Sequence, residues 1–144
     1  ILRKREHFRR VFDGFDPAAI ARYGPKKTGA LLADPGIVRN RLKVEAAVAN
    51  AQAYLALTEK ESFAAFLWSF VDGKPVQNRF GAHSDIPAET PVSRAISKAL
   101  KARGFRFVGP TTIYAMMQSV GMVNDHVIGC HRHDACAALL PHLR

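Results

Sequence analysis

Long apolar runs, a cysteine framework and strand patterning are all missing from this 144-residue sequence. No apolar stretch approaches the ~18–20 residues that a membrane-spanning helix needs, so no membrane segment is expected. The opening run, Ile1-Leu2-Arg3-Lys4-Arg5-Glu6, has no apolar core of the kind a secretory signal requires. It also lacks an initiator Met, and the sequence is therefore expected to begin inside a longer one. The two cysteines, Cys130 and Cys136, are too few for a disulfide framework. A reducing cytoplasm is the expected setting. Acidic residues are in deficit, 12 against 21 Lys and Arg, which leaves a net charge of +9. Such an excess points to a polyanionic partner, nucleic acid first. The cations are spread along the chain, so no basic tail is expected. There is no internal repeat and no low-complexity segment.

What is present is helical periodicity. Hydrophobic residues make up 48% of the chain, enough for a core, and a single helical domain over residues 1–144 is expected. Residues 1–12 read as a basic amphipathic helix, with Leu2, Phe8, Val11 and Phe12 among many cations. Asp16-Pro17 is a helix start, since Asp caps and Pro suits the first turn. That helix should run to about Tyr23, where Gly24-Pro25 stops it. A short helix follows over residues 27–33, then the longest over residues 38–57. Residues 61–71 are apolar on most sides, which predicts a buried helix with Trp68 in the core. Residues 72–90 carry Gly73, Pro75, Gly81 and Pro87 and read as a long loop. Within it, residues 74–80 are the one weak strand candidate. Further helices are expected over residues 93–103, with Ser93 or Thr90 near the cap, and over residues 111–120. The fold class is all-α, a helical bundle.

The segment from Leu100 to Ile113 is the most informative. One helix ends at Gly104, which can take positive φ. After a short apolar link, Gly109 permits a tight turn and Pro110 fits the first turn of the next helix. Backbone N–H groups left unpaired at that helix start can bind phosphate. The pattern resembles a DNA-binding helix-hairpin-helix over about residues 94–120. Gly104, Gly109, Thr111 and Thr112 would then sit against the sugar-phosphate backbone. Such contacts position a protein without reading sequence. An ordinary helix-loop-helix with a glycine stop remains the plain alternative.

Six segments in order extend the resemblance beyond that motif. They are Ile1-Leu2-Arg3-Lys4-Arg5-Glu6, Gly36-Ile37-Val38-Arg39-Asn40-Arg41-Leu42-Lys43, Phe66-Leu67-Trp68-Ser69-Phe70-Val71, Ser97-Lys98-Ala99-Leu100-Lys101, Gly104-Phe105-Arg106-Phe107-Val108-Gly109, and Gly121-Met122-Val123-Asn124-Asp125-His126-Val127-Ile128-Gly129-Cys130. Together they resemble the DNA-3-methyladenine glycosylase I family, over about residues 1–130 and without that family's N-terminal part. The resemblance implies excision of 3-methyladenine from alkylated double-stranded DNA, by base flipping and hydrolysis of the N-glycosidic bond. It also implies a monomer. The methylated base is cationic, so its bond to the sugar is already weakened. Nearby negative charge would stabilise the oxocarbenium-like sugar.

Related helix-hairpin-helix glycosylases carry a catalytic Asp where this chain has Asn124, and Asn cannot act as a carboxylate base. A contribution of Asn124 to the pocket is the most the resemblance supports. Asp125, one position on, reads as a helix cap or a surface ion pair. The family's base-contacting Glu and aromatic walls would lie upstream of Ile1. No catalytic residue is therefore expected within the chain, and Glu6 and Glu45 are no substitutes. The alternative function is a non-catalytic helix-hairpin-helix module that holds DNA. A zinc-dependent structural adaptor is a weaker third reading.

His126 and Cys130 are four apart, so one helical turn would point both the same way. Imidazole and thiolate are good zinc ligands, and a structural site needs four. The resemblance implies structural zinc, with His126 and Cys130 as two of the four ligands in a segment over about residues 121–136. A wholly local set of His126, Cys130, His133 and Cys136 is open on sequence, as is no metal, with Cys130 a small buried residue.

Overall fold

The structure is a computed structural model and describes residues 1–139. The chain divides into two compact units. One holds residues 1–61 with 101–107, the other residues 62–100 with those from 108 onward.

The first unit opens with a 3-10 turn, Leu2–Lys4, that leads into α1, Arg5–Val11. A second 3-10 turn, Asp13–Phe15, precedes α2, Pro17–Ile20, and then α3, Pro25–Ala33, and α4, Arg41–Thr58. The helix starts have local causes. Asp16 accepts from the Ala18 N–H at 2.9 Å, with Pro17 in the first turn. Asn40, extended at φ −110°, accepts from the Lys43 N–H at 3.1 Å. This cap sets the start of α4 at Arg41 rather than at the expected residue 38. The core gathers Phe12, Ile20, Leu31, Ile37, Val44 and Ala51. Each large side chain buried there stabilises the fold by about 1.5–3 kcal/mol.

A polar clasp ties α1 to the turn before α4. Lys4 Nζ donates to the carbonyls of Pro35 and Ile37, at 2.9 and 3.3 Å. Arg10 Nη2 lies 2.7 Å from His7 Nδ1, and a guanidinium can only donate. His7 therefore carries its proton on Nε2 and donates it to Asp34 Oδ2 at 2.6 Å. Asp34 also accepts the Gly36 N–H at 2.7 Å. The His7 bond first, then the Gly36 N–H, hold the Asp34 carboxyl below its ordinary range. Gly36 is forced by close approach, because a Cβ there would overlap the His7 ring.

Residues 101–107 return to this unit and lie along α4. Asn50 Oδ1 accepts the Arg106 N–H at 2.7 Å, and Asn50 Nδ2 donates to the Arg106 carbonyl at 3.0 Å. Phe105 is buried.

In the second unit Ser62 caps α5, Phe63–Trp68, which runs into a 3-10 turn, Ser69–Val71. Residues Phe66, Leu67 and Val71 are buried, but Ala64 and Ala65 face solvent. This helix is thus half-buried rather than enclosed, and Trp68 is only partly covered. α6, Pro91–Ala102, turns Ser93, Ile96, Ser97 and Leu100 inward at helical spacing. Thr90 and Ser93 cap it reciprocally: each side-chain oxygen accepts the other's backbone N–H, at 3.2 and 2.9 Å. α7, Pro110–Ser119, and α8, Arg132–Ala137, complete the helices among the described residues.

The chain is mostly helical, as expected, with one exception. β1, Val76–Gln77, pairs in parallel with β2, Val123–Asn124, in the register Val76 to Val123 and Gln77 to Asn124. β1 falls inside the weak strand candidate. A two-residue strand cannot show alternation, so β2 leaves no trace in the sequence pattern. Residues 72–90 are accordingly not one open loop, since they also hold a 3-10 turn, His83–Asp85.

Candidate functional site

The hairpin segment begins where Gly104, at φ +90°, ends α6. Gly104 meets the expectation of positive φ, and its neighbour across the gap is Ala53 at 4.0 Å. Phe107, in the same stretch, is half-exposed and held at φ +57°. An aromatic residue rarely adopts that region, and such strain costs about 1–3 kcal/mol.

In the second unit Ser97 Oγ donates to the Val108 carbonyl at 2.6 Å and fixes the approach to α7. Gly109 has φ −62° and ψ 156°, and a Cβ there would meet nothing within 4 Å. No tight turn requires glycine at this position, contrary to the sequence expectation, and the space above it is open. Gly109 offers no side-chain cap to α7. Pro110 has no N–H, so Thr111 and Thr112, both exposed, supply the first free N–H groups of the helix. Gly109, Thr111 and Thr112 are thus adjacent on the second unit, while Gly104 belongs to the first.

After α7 the chain builds a buried polar network. Asn124 Nδ2 donates to Gln77 Oε1 and to the His133 carbonyl, each at 2.9 Å. Asp125 is also buried, and its two oxygens accept from Asn78 Nδ2 at 2.7 Å and Gln118 Nε2 at 2.8 Å. It is therefore neither a helix cap nor a surface ion pair, as the sequence suggested. The nearby Tyr114 hydroxyl is enclosed and falls short of hydrogen-bond geometry with any partner. Burial first, then the Asp125 charge, raise its pKa, so the phenol stays protonated. His133 places Nε2 3.1 Å from the Asn78 carbonyl and Nδ1 2.8 Å from Asp134 Oδ1. Sequence reasoning missed Gln77, Asn78 and Gln118. The first two meet their partners across 47 positions, and no local spacing signals that.

Two open cavities flank this network. One, about 280 Å³, is lined by Trp68, Gln77, Gln118, Asn124, His126 and Cys136 among others. The other, about 430 Å³, is lined by His83, Ala115, Gln118, Asp125, His126 and Cys130 among others.

His126 and Cys130 come together, with Nδ1 3.6 Å from Sγ. Two ligands at about 2.05 and 2.3 Å from one tetrahedral zinc would stand about 3.6 Å apart, so the pair fits half of such a site. The Arg132 N–H reaches the same sulfur at 3.5 Å. His133 and Cys136 do not join them: both ring nitrogens of His133 are engaged elsewhere, and Cys136 faces the first cavity. Among the described residues no group of three or more His, Cys, Asp or Glu side chains is gathered for a metal ion. No helix among them is long and apolar enough to cross a membrane.

The mostly helical chain superposes on solved 3-methyladenine DNA glycosylases. The crystal structure of a 3-methyladenine DNA glycosylase I superposes with a TM-score of 0.87 at 48% identity, over 90% of this chain and 72% of that one. A variant of 3-methyladenine DNA glycosylase I in complex with 3-methyladenine gives a TM-score of 0.87 at 34% identity, over 92% and 72%. Among characterised proteins, the DNA-3-methyladenine glycosylase of Haemophilus influenzae is 47% identical over 131 residues, 90% of this chain and 71% of the relative. DNA-3-methyladenine glycosylase 1 of Escherichia coli is 46% identical over 90% and 70%. The family model for methyladenine glycosylase matches residues 1–133. The chain belongs to the methyladenine glycosylase family.

Proposed function

We infer that this chain serves a DNA repair glycosylase, which removes 3-methyladenine from alkylated DNA by hydrolysis of the N-glycosidic bond in base excision repair. The observation that carries the reading is the superposition on a 3-methyladenine DNA glycosylase I over nine-tenths of the chain at 48% identity. The nucleotide must leave the stack before its bond is reached, which costs a few kcal/mol. The cationic base is a good leaving group, so the protein's tasks are to hold the flipped nucleotide and admit water.

Within this reading the hairpin grips duplex DNA as a helix-hairpin-helix. Thr111 and Thr112 offer their N–H groups to a phosphate, with Gly109 keeping the backbone approachable beside them, and Gly104, on the first unit, is proposed as a separate backbone contact. The open space above Gly109 supports this, since nothing inside the protein requires glycine there. Asn124 shapes the site from within, because its amide is fully used in holding β1 to α8. His126 and Cys130 would hold a structural zinc with two further ligands, and that ion would brace the fold rather than take part in hydrolysis. The supporting observation is their 3.6 Å separation. The free thiols suit a reducing cytoplasm, and a monomer suffices for every role named here.

The test is chromatographic detection of free 3-methyladenine after the intact protein is incubated with methylated duplex DNA. Release establishes the glycosylase. DNA binding without release would leave a non-catalytic holding module.

A further inference from the structure

The positive charge of this chain is not shared between its units. The first unit carries 15 Lys and Arg against 7 Asp and Glu, the rest of the chain 6 against 5. Nearly all of the +9 therefore lies on the first unit. Part of it is neutralised locally. Glu6 engages Arg5 and Arg9, Glu45 engages Arg41, Asp13 engages Lys27 and Glu61 engages Arg103. At the start of α4, Arg39 and Lys43 are exposed and have no ion-pair partner among the described residues.

Their position along α4 matters. The returning hairpin loop runs against this helix in a fixed direction, Gly104 beside Ala53 and Arg106 clasped by Asn50. The loop thus travels toward the N-terminal end of α4. Seven residues further that way, two turns on the same face, stands Lys43. The helical rise puts it about 10 Å beyond Asn50, the length of about three base-pair steps. Lys4, fastened to the Pro35 and Ile37 carbonyls, adds charge at the same corner.

We propose that Arg39 and Lys43 form a second phosphate-contact patch on the first unit, which takes the DNA backbone beyond the stretch held by the hairpin loop. The proposal rests on the DNA-binding reading above. Its partner is duplex DNA, engaged through phosphates and without regard to sequence. The patch lengthens the footprint and raises the number of counterions released on binding.

The experiment compares three variants of the intact protein on an unmodified duplex, with affinity followed by fluorescence anisotropy across salt concentrations and folding checked by circular dichroism. Arg39→Gln with Lys43→Gln is expected to weaken binding about tenfold near 0.1 M salt. It should also flatten the log–log salt slope by about two. Lys26→Gln with Lys60→Gln removes the same charge elsewhere on the first unit and is expected to leave the slope unchanged. If both pairs flatten it equally, the effect is general charge and the patch is overturned. If the Arg39 and Lys43 pair changes nothing while Gly109→Val weakens binding, the patch fails and the DNA reading stands. If none of the three changes affinity, the hairpin reading fails with it.

Discussion

Asn124 donates through its amide to the main-chain carbonyl of His133, 2.9 Å away, and through the second hydrogen to Gln77. Both partners present oxygens to the Asn124 amide hydrogens, while its Oδ1 accepts the His126 N–H at 3.4 Å. An Asp here would bury a carboxylate against two oxygens. Asn124→Asp is therefore expected to destabilise the protein by about 2–4 kcal/mol at neutral pH, as read by urea denaturation. A loss under about 0.5 kcal/mol would show that the network tolerates a carboxylate and that Asn is not required by packing.

Gly36→Ala is expected to cost about 1–3 kcal/mol, because the new methyl group overlaps the His7 ring. His7→Ala removes the obstacle along with its bond to Asp34. In that background the Gly36 substitution should cost markedly less, with only the Asp34 Oδ1 atom, 2.9 Å away, left to give way. A double-mutant cycle in thermal unfolding checks this, and additive losses would assign the cost to the backbone instead.

Helix starts and the hairpin glycine were legible in the sequence because their causes are local. Asp16-Pro17, Thr90 with Ser93, and Gly104 each act within a few positions. The long helix was placed three residues early because the capping role of Asn40 was hidden inside an apolar pattern. The β pairing and the burial of Asp125 were not legible. Each depends on partners brought from 47 or so positions away, and local periodicity carries no record of them. The pair His126 and Cys130 was drawn from its spacing and from the family resemblance, and the two side chains do meet, although the segment is a turn rather than the helix that the spacing assumed. The diversion of His133 to the Asn78 carbonyl was not legible.

Acid should weaken the clasp between α1 and α4. The Asp34 carboxyl is held below its ordinary range by His7 and the Gly36 N–H. A depressed carboxylate contributes fully above the unfolded value of about 4, and its contribution is lost as pH falls through the folded value. The stability difference between the parent and Asp34→Ala should be constant from pH 5 to 7 and shrink below pH 4. His133 acts in the opposite sense. The Asp134 carboxylate and then the Asn78 carbonyl raise its pKa, so its contribution is full below about 6.5 and lost as pH rises through the folded value. A difference for Asp34→Ala that grows toward acid would contradict the assigned hydrogen bonds.

Cys130→Ser and His126→Ala should each reduce metal content from about one zinc per intact protein to a small fraction of that, measured by elemental mass spectrometry after dialysis. Thermal stability should fall in parallel. Full zinc retention in either variant would take that residue off the ligand set.

The return of residues 101–107 to the first unit also sets an order of events in time. Asn50 and Arg106 meet across 56 positions, and closing a loop of that size costs on the order of 3–4 kcal/mol in chain entropy. During synthesis residues 1–61 leave the ribosome well before residues 101–107 exist. The flank of α4 that receives this loop must then wait, uncovered, while some forty further residues are made. A segment proposed to hold DNA is thus among the last parts of its own unit to be seated.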